Sequence, residues 1–285
     1  VAQLFRRKAR LLIAVPVGTS LTQFSADVYE VEDLRLRFRV VKTLRKEPNT
    51  AEVTVTNLSQ RSRAELQEKA FRITLQAGYA DTLSTIFIGD ARDVDSRLAG
   101  ADWETKIQAG DGERGYRHGR VSESFKGGTS VAAVVRKFAA EMGVDASTAS
   151  GFLSELTGRQ FVTGYAAHGR ASKELDRLLR TYGYGWAVQD GKLHVFKPDD
   201  SGFESAVELT PDTGLVDSPE MSSPEKKGGK PTLRVKSLLQ PSLLPGARVV
   251  VRSTQHDGTF KIKKVTHTGD TAGGEFYSEL ETEPA

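Results

Sequence analysis

The chain has no cysteine. That absence excludes disulfide staples, cysteine zinc centres and cysteine nucleophiles. No stretch approaches the roughly 20 consecutive apolar residues of a membrane-spanning helix. Neither sign of charge dominates: 40 basic residues face 37 acidic ones, for a net charge of +3. So small an imbalance is weak ground for a nucleic-acid partner. There is no G-x-S-x-G elbow for a serine hydrolase, and there is no short-period repeat. Arg6, Arg7, Lys8 and Arg10 precede an apolar run at residues 11–17, which superficially resembles a secretory leader. Pro16 breaks that run and no small-residue cleavage site follows. The segment reads as a first β-strand with a basic lead-in.

What is present is alternation. Leu34, Leu36, Phe38 and Val40 alternate with Arg35, Arg37 and Arg39. Ala51, Val53 and Val55 alternate with Glu52, Thr54 and Thr56. The same period of two runs through Phe71–Ala77 and Trp103–Ala109. Each such strand buries one face and leaves the other polar, as in an antiparallel sandwich or barrel. Residues 59–70 interrupt them as one short helix. Ser59 can cap it, and Ser62 with Glu65 has capping-box spacing.

The period changes in the middle. After Gly127-Gly128, Thr129 or Ser130 can cap a helix whose stripe is Val131, Val134, Val135, Phe138, Ala139 and Met142, with Gly143 as its stop. A second helix runs from about Ser172, with Leu175, Leu178, Leu179 and Tyr182 as its stripe and Gly183 at its end. A hairpin over 186–196 turns at Asp190-Gly191. From about residue 199 the chain returns to β. Residues 217–231, rich in Pro, Ser, Gly and Lys, read as a long mobile loop. Near the end, residues 248–252 form a β-branched run, Asp257-Gly258 a hairpin-type turn and residues 260–267 a second strand. Phe260 and Ile262 share a face while Val265 is an odd step away, so Lys263-Lys264 is expected to bulge. Residues 269–274 form a loop and residues 275–281 a last strand.

These motifs occur in a telling order: a strand closing in Asn57-Leu58-Ser59, an Ala77-Gly78-Tyr79 turn, Phe87-Ile88-Gly89-Asp90 as another turn, then Thr268-Gly269-Asp270-Thr271-Ala272-Gly273-Gly274 before Tyr277. The pattern resembles phage baseplate hub proteins, the late-control D or tail protein D family, over nearly the whole chain. The resemblance implies a mainly β protein with two tube-like antiparallel β-barrel domains, at residues 1–116 and 199–285, flanking a small α/β insert at 117–198. It implies a homotrimeric ring in the virion tail, assembled in the host cytoplasm, that adapts a sixfold tail tube to a threefold spike. The expected partners are the tube or distal tail protein, the spike and other baseplate proteins, with tape-measure protein and DNA passing through the channel. No cofactor, no metal and no membrane is expected. Gly78, Gly89, Gly110 and Gly269 are expected to supply positive φ in turns.

A lumen that passes DNA should not hold it, since each phosphate contact adds salt-sensitive affinity. Arg35, Arg37 and Arg39 are therefore the candidate interface residues, with a solvated polar face as the alternative. The hub of a headless contractile particle fits the sequence equally. A peptidoglycan hydrolase would need two facing carboxylates, and no motif marks such a pair. His256, Asp257, His267 and Asp270 could converge on a metal, but their spacing matches no common zinc pattern. His267 reads better as a packed, hydrogen-bonded residue. The basic clusters at residues 6–10 and at Lys226, Lys227 and Lys230 lack the interleaved aromatics of a stacking platform.

Overall fold

The computed structural model describes residues 6–16, 26–69, 71–79, 82–197, 206–222 and 231–285. The described residues fall into two compact units, one from residues 1–43, 49–110 and 201–285, the other from 44–48 and 111–200.

The first unit opens with β1 (Arg7–Pro16), the expected first strand, which takes in Arg7, Lys8 and Arg10 of the basic lead-in, and β2 (Ala26–Val31). Next come β3 (Leu36–Thr43) and β4 (Thr50–Thr56), whose alternating apolar residues are buried as the period of two requires. Helix α1 (Gln60–Glu68) follows, and the Ser59 hydroxyl accepts the Ser62 amide at 3.1 Å. Ser59 is thus the cap. Glu65 does not close a capping box on Ser62; its carboxylate accepts from the Tyr29 hydroxyl at 2.7 Å and from Lys69 at 2.6 Å. Strands β5 (Arg72–Tyr79), β6 (Thr82–Ala99) and β7 (Asp102–Gly110) complete this stretch.

The second unit contains α2 (Glu113–His118), β8 (Arg120–Phe125), α3 (Val131–Glu141), α4 (Ser150–Thr157), β9 (Tyr165–Arg170) and α5 (Ala171–Thr181), and then the hairpin β10 (Gly185–Gln189) and β11 (Lys192–Phe196). Ser130 caps α3, accepting the Ala133 amide at 3.2 Å. The six stripe residues of α3 are all buried, and Leu175, Leu178 and Leu179 of α5 meet them in one core. Asp190 and Gly191 have φ of +54° and +76°, the left-handed pair of a type I′ turn. The Asp111 carboxylate accepts both of their amides, at 2.5 and 2.8 Å. Helices α2 and α4 and strand β8 are additions to the helix–strand–helix–hairpin order read from the sequence, in which β9 is the strand. In β8 only Val121 is buried, so no alternation marks it as a strand.

The chain then re-enters the first unit through β12 (Ala206–Leu209), β13 (Glu220–Ser222), β14 (Thr232–Leu238), β15 (Arg248–Arg252), β16 (Asp257–Asp270) and β17 (Phe276–Pro284). Part of the expected long loop is therefore strand β13, paired with β14, and residues 223–230 lie outside the described residues. The turn expected at Asp257-Gly258 lies three residues earlier, at Thr254-Gln255. The Ser253 amide donates to the His256 carbonyl at 3.1 Å, and Asp257 already pairs with Arg252. The expected bulge is present: β16 slips against β17 between Ile262 and Lys264. The extra residue returns Val265 to the core side beside Phe260 and Ile262.

One 13-stranded sheet unites the unit, in the order β13-β14-β17-β16-β3-β4-β7-β6-β5-β1-β2, with β15 and the parallel β12 branching from β16. Two long strands change partner midway. The first half of β16 pairs with β15 and its second half with β3. The first half of β6 pairs with β5 and its second half with β7. The architecture is mainly β with a helix-containing insert. The N-terminal and C-terminal strands keep separate apolar cores, but Leu239 and Phe276 from the far end of the chain pack into the N-terminal one.

Candidate assembly surface

Strand β3 presents Arg37 and Arg39 on its polar face, with Arg35 just before it. Sequence spacing groups the three, and the structure separates them. Arg35 forms a bidentate pair with Asp270, Nε to Oδ1 at 3.0 Å and Nη2 to Oδ2 at 2.6 Å. That guanidinium holds the Asp270 carboxyl below the usual carboxylate range, against the opposing effect of partial burial. Arg37 reaches past β4 to Glu104 of β7, which also meets Arg97 at 3.4 Å. Arg39 is exposed and has no ion pair or hydrogen bond among the described residues. It borders a groove of about 360 Å³ with Arg234, Lys236 and Lys264. Four carboxylates, of Asp217, Glu220, Glu279 and Glu281, line the same groove. The lining is charge-balanced, with Lys264 on Glu281 at 2.7 Å and Lys236 near Asp217 at 3.6 Å. Such a face makes no sustained positive field for a polyanion.

The segment from Gly269 to Gly274 fastens the last hairpin onto the first strands. Gly269 pairs with Phe38, and a Cβ on it would lie 2.3 Å from the Phe38 ring. The Asp270 carboxylate also accepts the Ala272 amide at 3.0 Å, and the Thr271 hydroxyl accepts the Leu36 amide at 3.0 Å. A Cβ on Gly273 would lie 2.4 Å from an Asp270 carboxylate oxygen. Arg7 of β1 donates to the Gly273 and Gly274 carbonyls at 3.2 and 2.8 Å. Beneath the loop, Phe276 makes edge contacts with Phe38 and Tyr79, at 6.0 and 5.5 Å between ring centres. The buried Tyr79 hydroxyl has no hydrogen-bond partner that meets ordinary geometry, and burial pushes its pKa up to about 12. Arg7, Glu104 and Thr271 were missed from sequence, because each acts through a partner 60 or more residues away.

None of Gly78, Gly89, Gly110 and Gly269 has the positive φ expected of it. All four lie in strands, and at three of them crowding supplies the reason for glycine. A Cβ on Gly78 would meet the Thr82 carbonyl at 2.0 Å, and one on Gly89 the Phe87 ring at 2.6 Å. Phe87-Ile88-Gly89-Asp90 is accordingly not a turn. It is the point within β6 where Asp90 pairs with both Arg72 and Gly110 as the strand changes partner.

The four residues considered for a metal do not assemble. His267 is fully buried and its Nδ1 lies 2.8 Å from the Ser278 hydroxyl. Burial, together with the Lys42 ammonium, pushes its pKa down to about 3, so the imidazole is neutral. Asp270 is engaged with Arg35, and Asp257 opens β16. Among the described residues, no three His, Cys, Asp or Glu side chains converge to hold a metal ion.

No protein-family model matches the sequence, and no curated protein matches it. Solved structures do match. A tail protein from Neisseria meningitidis MC58 superposes with a TM-score of 0.61 at 12% identity, over 96% of each chain. The 43 kDa tail protein of prophage MuSo2 from Shewanella oneidensis gives 0.62 at 10% identity, over 97% of this chain and 98% of that one. The E. coli c3393 protein gives 0.56 at 13% identity, over 88% and 73%. It is described as a type VI secretion component with structural similarity to the T4 tail proteins gp27 and gp5. The fold is thus that of phage tail proteins, as the sequence resemblance implies.

Proposed function

We propose that this chain is a non-enzymatic structural protein of a phage tail, acting as the hub at its tip. The observation that carries the proposal is the extent of the fold likeness, which spans nearly the whole of both chains in two tail proteins. In this reading residues 1–116 and 199–285 are two tube-like domains and residues 117–198 an insert. Three copies then offer six similar surfaces toward a tube and three toward a spike, which reconciles the two symmetries in one closed ring. DNA and tape-measure protein pass through the centre. The charge-balanced groove at Arg39 suits a protein surface within such a particle better than a nucleic-acid cradle. The type VI neighbour favours a second reading, the hub of a headless contractile particle, in which the mechanical task is the same.

Absolute mass by light scattering, over a concentration series with and without the cognate spike protein, tests the proposal. A species near three times 31.1 kDa, alone or with spike bound, is the expected result. A persistent monomer under both conditions overturns it and directs attention to peptidoglycan-hydrolysis assays.

A further inference from the structure

The β8–β9 ribbon of the second unit has an inner face and an outer one. Residues directly opposite each other in an antiparallel pair point to the same side. Arg120 lies opposite Arg170, Ser122 opposite His168 and Ser124 opposite Ala166. All six are exposed. The His168 Nδ1 is 3.2 Å from the Ser122 hydroxyl oxygen, as a shared side requires. On the inner face Val121 and Ala167 are buried in the core of the unit. Glu123, the one carboxylate in the two strands, belongs to that inner face and holds Lys137 at 2.9 Å.

The outer face therefore carries two guanidiniums, an imidazole, two hydroxyls and no acid. Several other cations of the unit are matched: Arg117 with Glu113, Arg177 with Glu174 and Arg180 with Asp176. The guanidiniums of Arg120 and Arg170 have no ion pair or hydrogen bond among the described residues. Like charges directly opposite each other weaken a strand pair, and an anion lying between them removes that cost. Lys126, just past the end of β8, and Lys173, in the first turn of α5, are exposed and extend the positive charge at both ends of the ribbon. Among the described residues no third strand flanks either edge. Two strands roughly 4.8 Å apart fit the major groove of B-form DNA, about 12 Å wide, which admits a two-stranded ribbon.

We infer that the outer face of the β8–β9 ribbon is a seat for double-stranded DNA. The ribbon enters the major groove, Arg120 and Arg170 pair with phosphates, and the short Ser122, Ser124 and Ala166 side chains let the strands approach. The face has no aromatic side chain on which unpaired bases stack, which favours a duplex over a single strand. Phosphate contacts make the binding salt-sensitive and indifferent to sequence. These residues fall in the insert and outside the two stretches read as tube domains, and the contact does not rest on the hub reading.

Fluorescence anisotropy of a short labelled DNA duplex, titrated with the full-length protein at about 50 and about 200 mM salt, tests the seat. Saturable binding at the lower salt is expected, weakened roughly 40-fold at the higher one for three phosphate contacts. Arg120→Ala and Arg170→Ala should each weaken binding and reduce the slope of log affinity against log salt by about 1. Replacing both by lysine should retain binding, which separates lost charge from lost fold. Arg61→Ala, on α1 of the first unit, is the charge control and should leave affinity and slope unchanged. No binding at the lower salt overturns the inference, and so does binding that both alanine changes leave unaltered. An RNA duplex of the same length, whose major groove side chains cannot read, and anionic phospholipid vesicles are titrated alongside. Binding to either as strong as that to DNA overturns the groove seating. Oligomeric mass is not read in this experiment, so its failure leaves the hub reading standing.

Discussion

Arg35 and Asp270 lie 235 residues apart and meet in a bidentate pair that joins the last long strand to the approach of β3. The strand pairing beside it, β16 against β3, is where the two ends of the chain become one sheet. The pair therefore sits at the seam of the unit.

Asp270→Asn removes the carboxylate charge and weakens the pair, and a loss of roughly 1–2 kcal/mol at neutral pH is expected, in the range for charge-assisted hydrogen bonds that retain some solvent contact. The carboxyl is held below its ordinary value in the folded chain. Its contribution is complete above the unfolded-state pKa and is lost as pH falls through the folded one. The difference between wild type and Asp270→Asn in urea melts should therefore shrink on going from pH 7 to pH 3.

His267 works in a different window. Its folded pKa is depressed to about 3 from an ordinary 6.5. Between those values the unfolded chain binds the extra proton, so stability is complete above about pH 6.5 and declines below it, by at most about 1.4 kcal/mol per pH unit. Thermal melts from pH 7.5 to pH 5 should show the decline. His267→Leu should flatten it, and a variant with the unchanged slope would show that other groups set the acid sensitivity.

Gly269→Ala places a methyl group 2.3 Å from the Phe38 ring and 3.0 Å from Phe276. Both rings are buried, so neither has open space to move into. A destabilisation of about 1–3 kcal/mol is expected from overpacking. Gly274→Ala is the control, since nothing lies within 4 Å of its added Cβ. Equal melting temperatures for the two variants would contradict this account of the loop.

Phe138→Ala empties a fully buried position in the core of the second unit. A loss of about 3–5 kcal/mol is expected there. The cores of the two units share no residue. Scanning calorimetry should therefore resolve a transition that shifts in this variant while the transition of the β unit stays in place.

Local periodicity settled much of this protein from sequence alone. The alternation in residues 34–40 and 51–56 fixed which faces of β3 and β4 are buried, because a strand's side chains must alternate. The spacing from Val131 to Met142 fixed the buried face of α3, and the odd step from Ile262 to Val265 required a bulge. The resemblance drawn from ordered motifs led to the fold that the tail-protein structures share. What the sequence could not decide were relations between distant residues. Arg35, Arg37 and Arg39 look equivalent in a row, yet Asp270 and Glu104 claim two of them and leave Arg39 on an open groove. The glycines of the motifs look like turn residues, yet ring and carbonyl neighbours at sub-contact distance show that crowding selects at least three of them. Each of these outcomes depends on which strand lies alongside, and strand order is set by the whole sheet and not by any local stretch of chain.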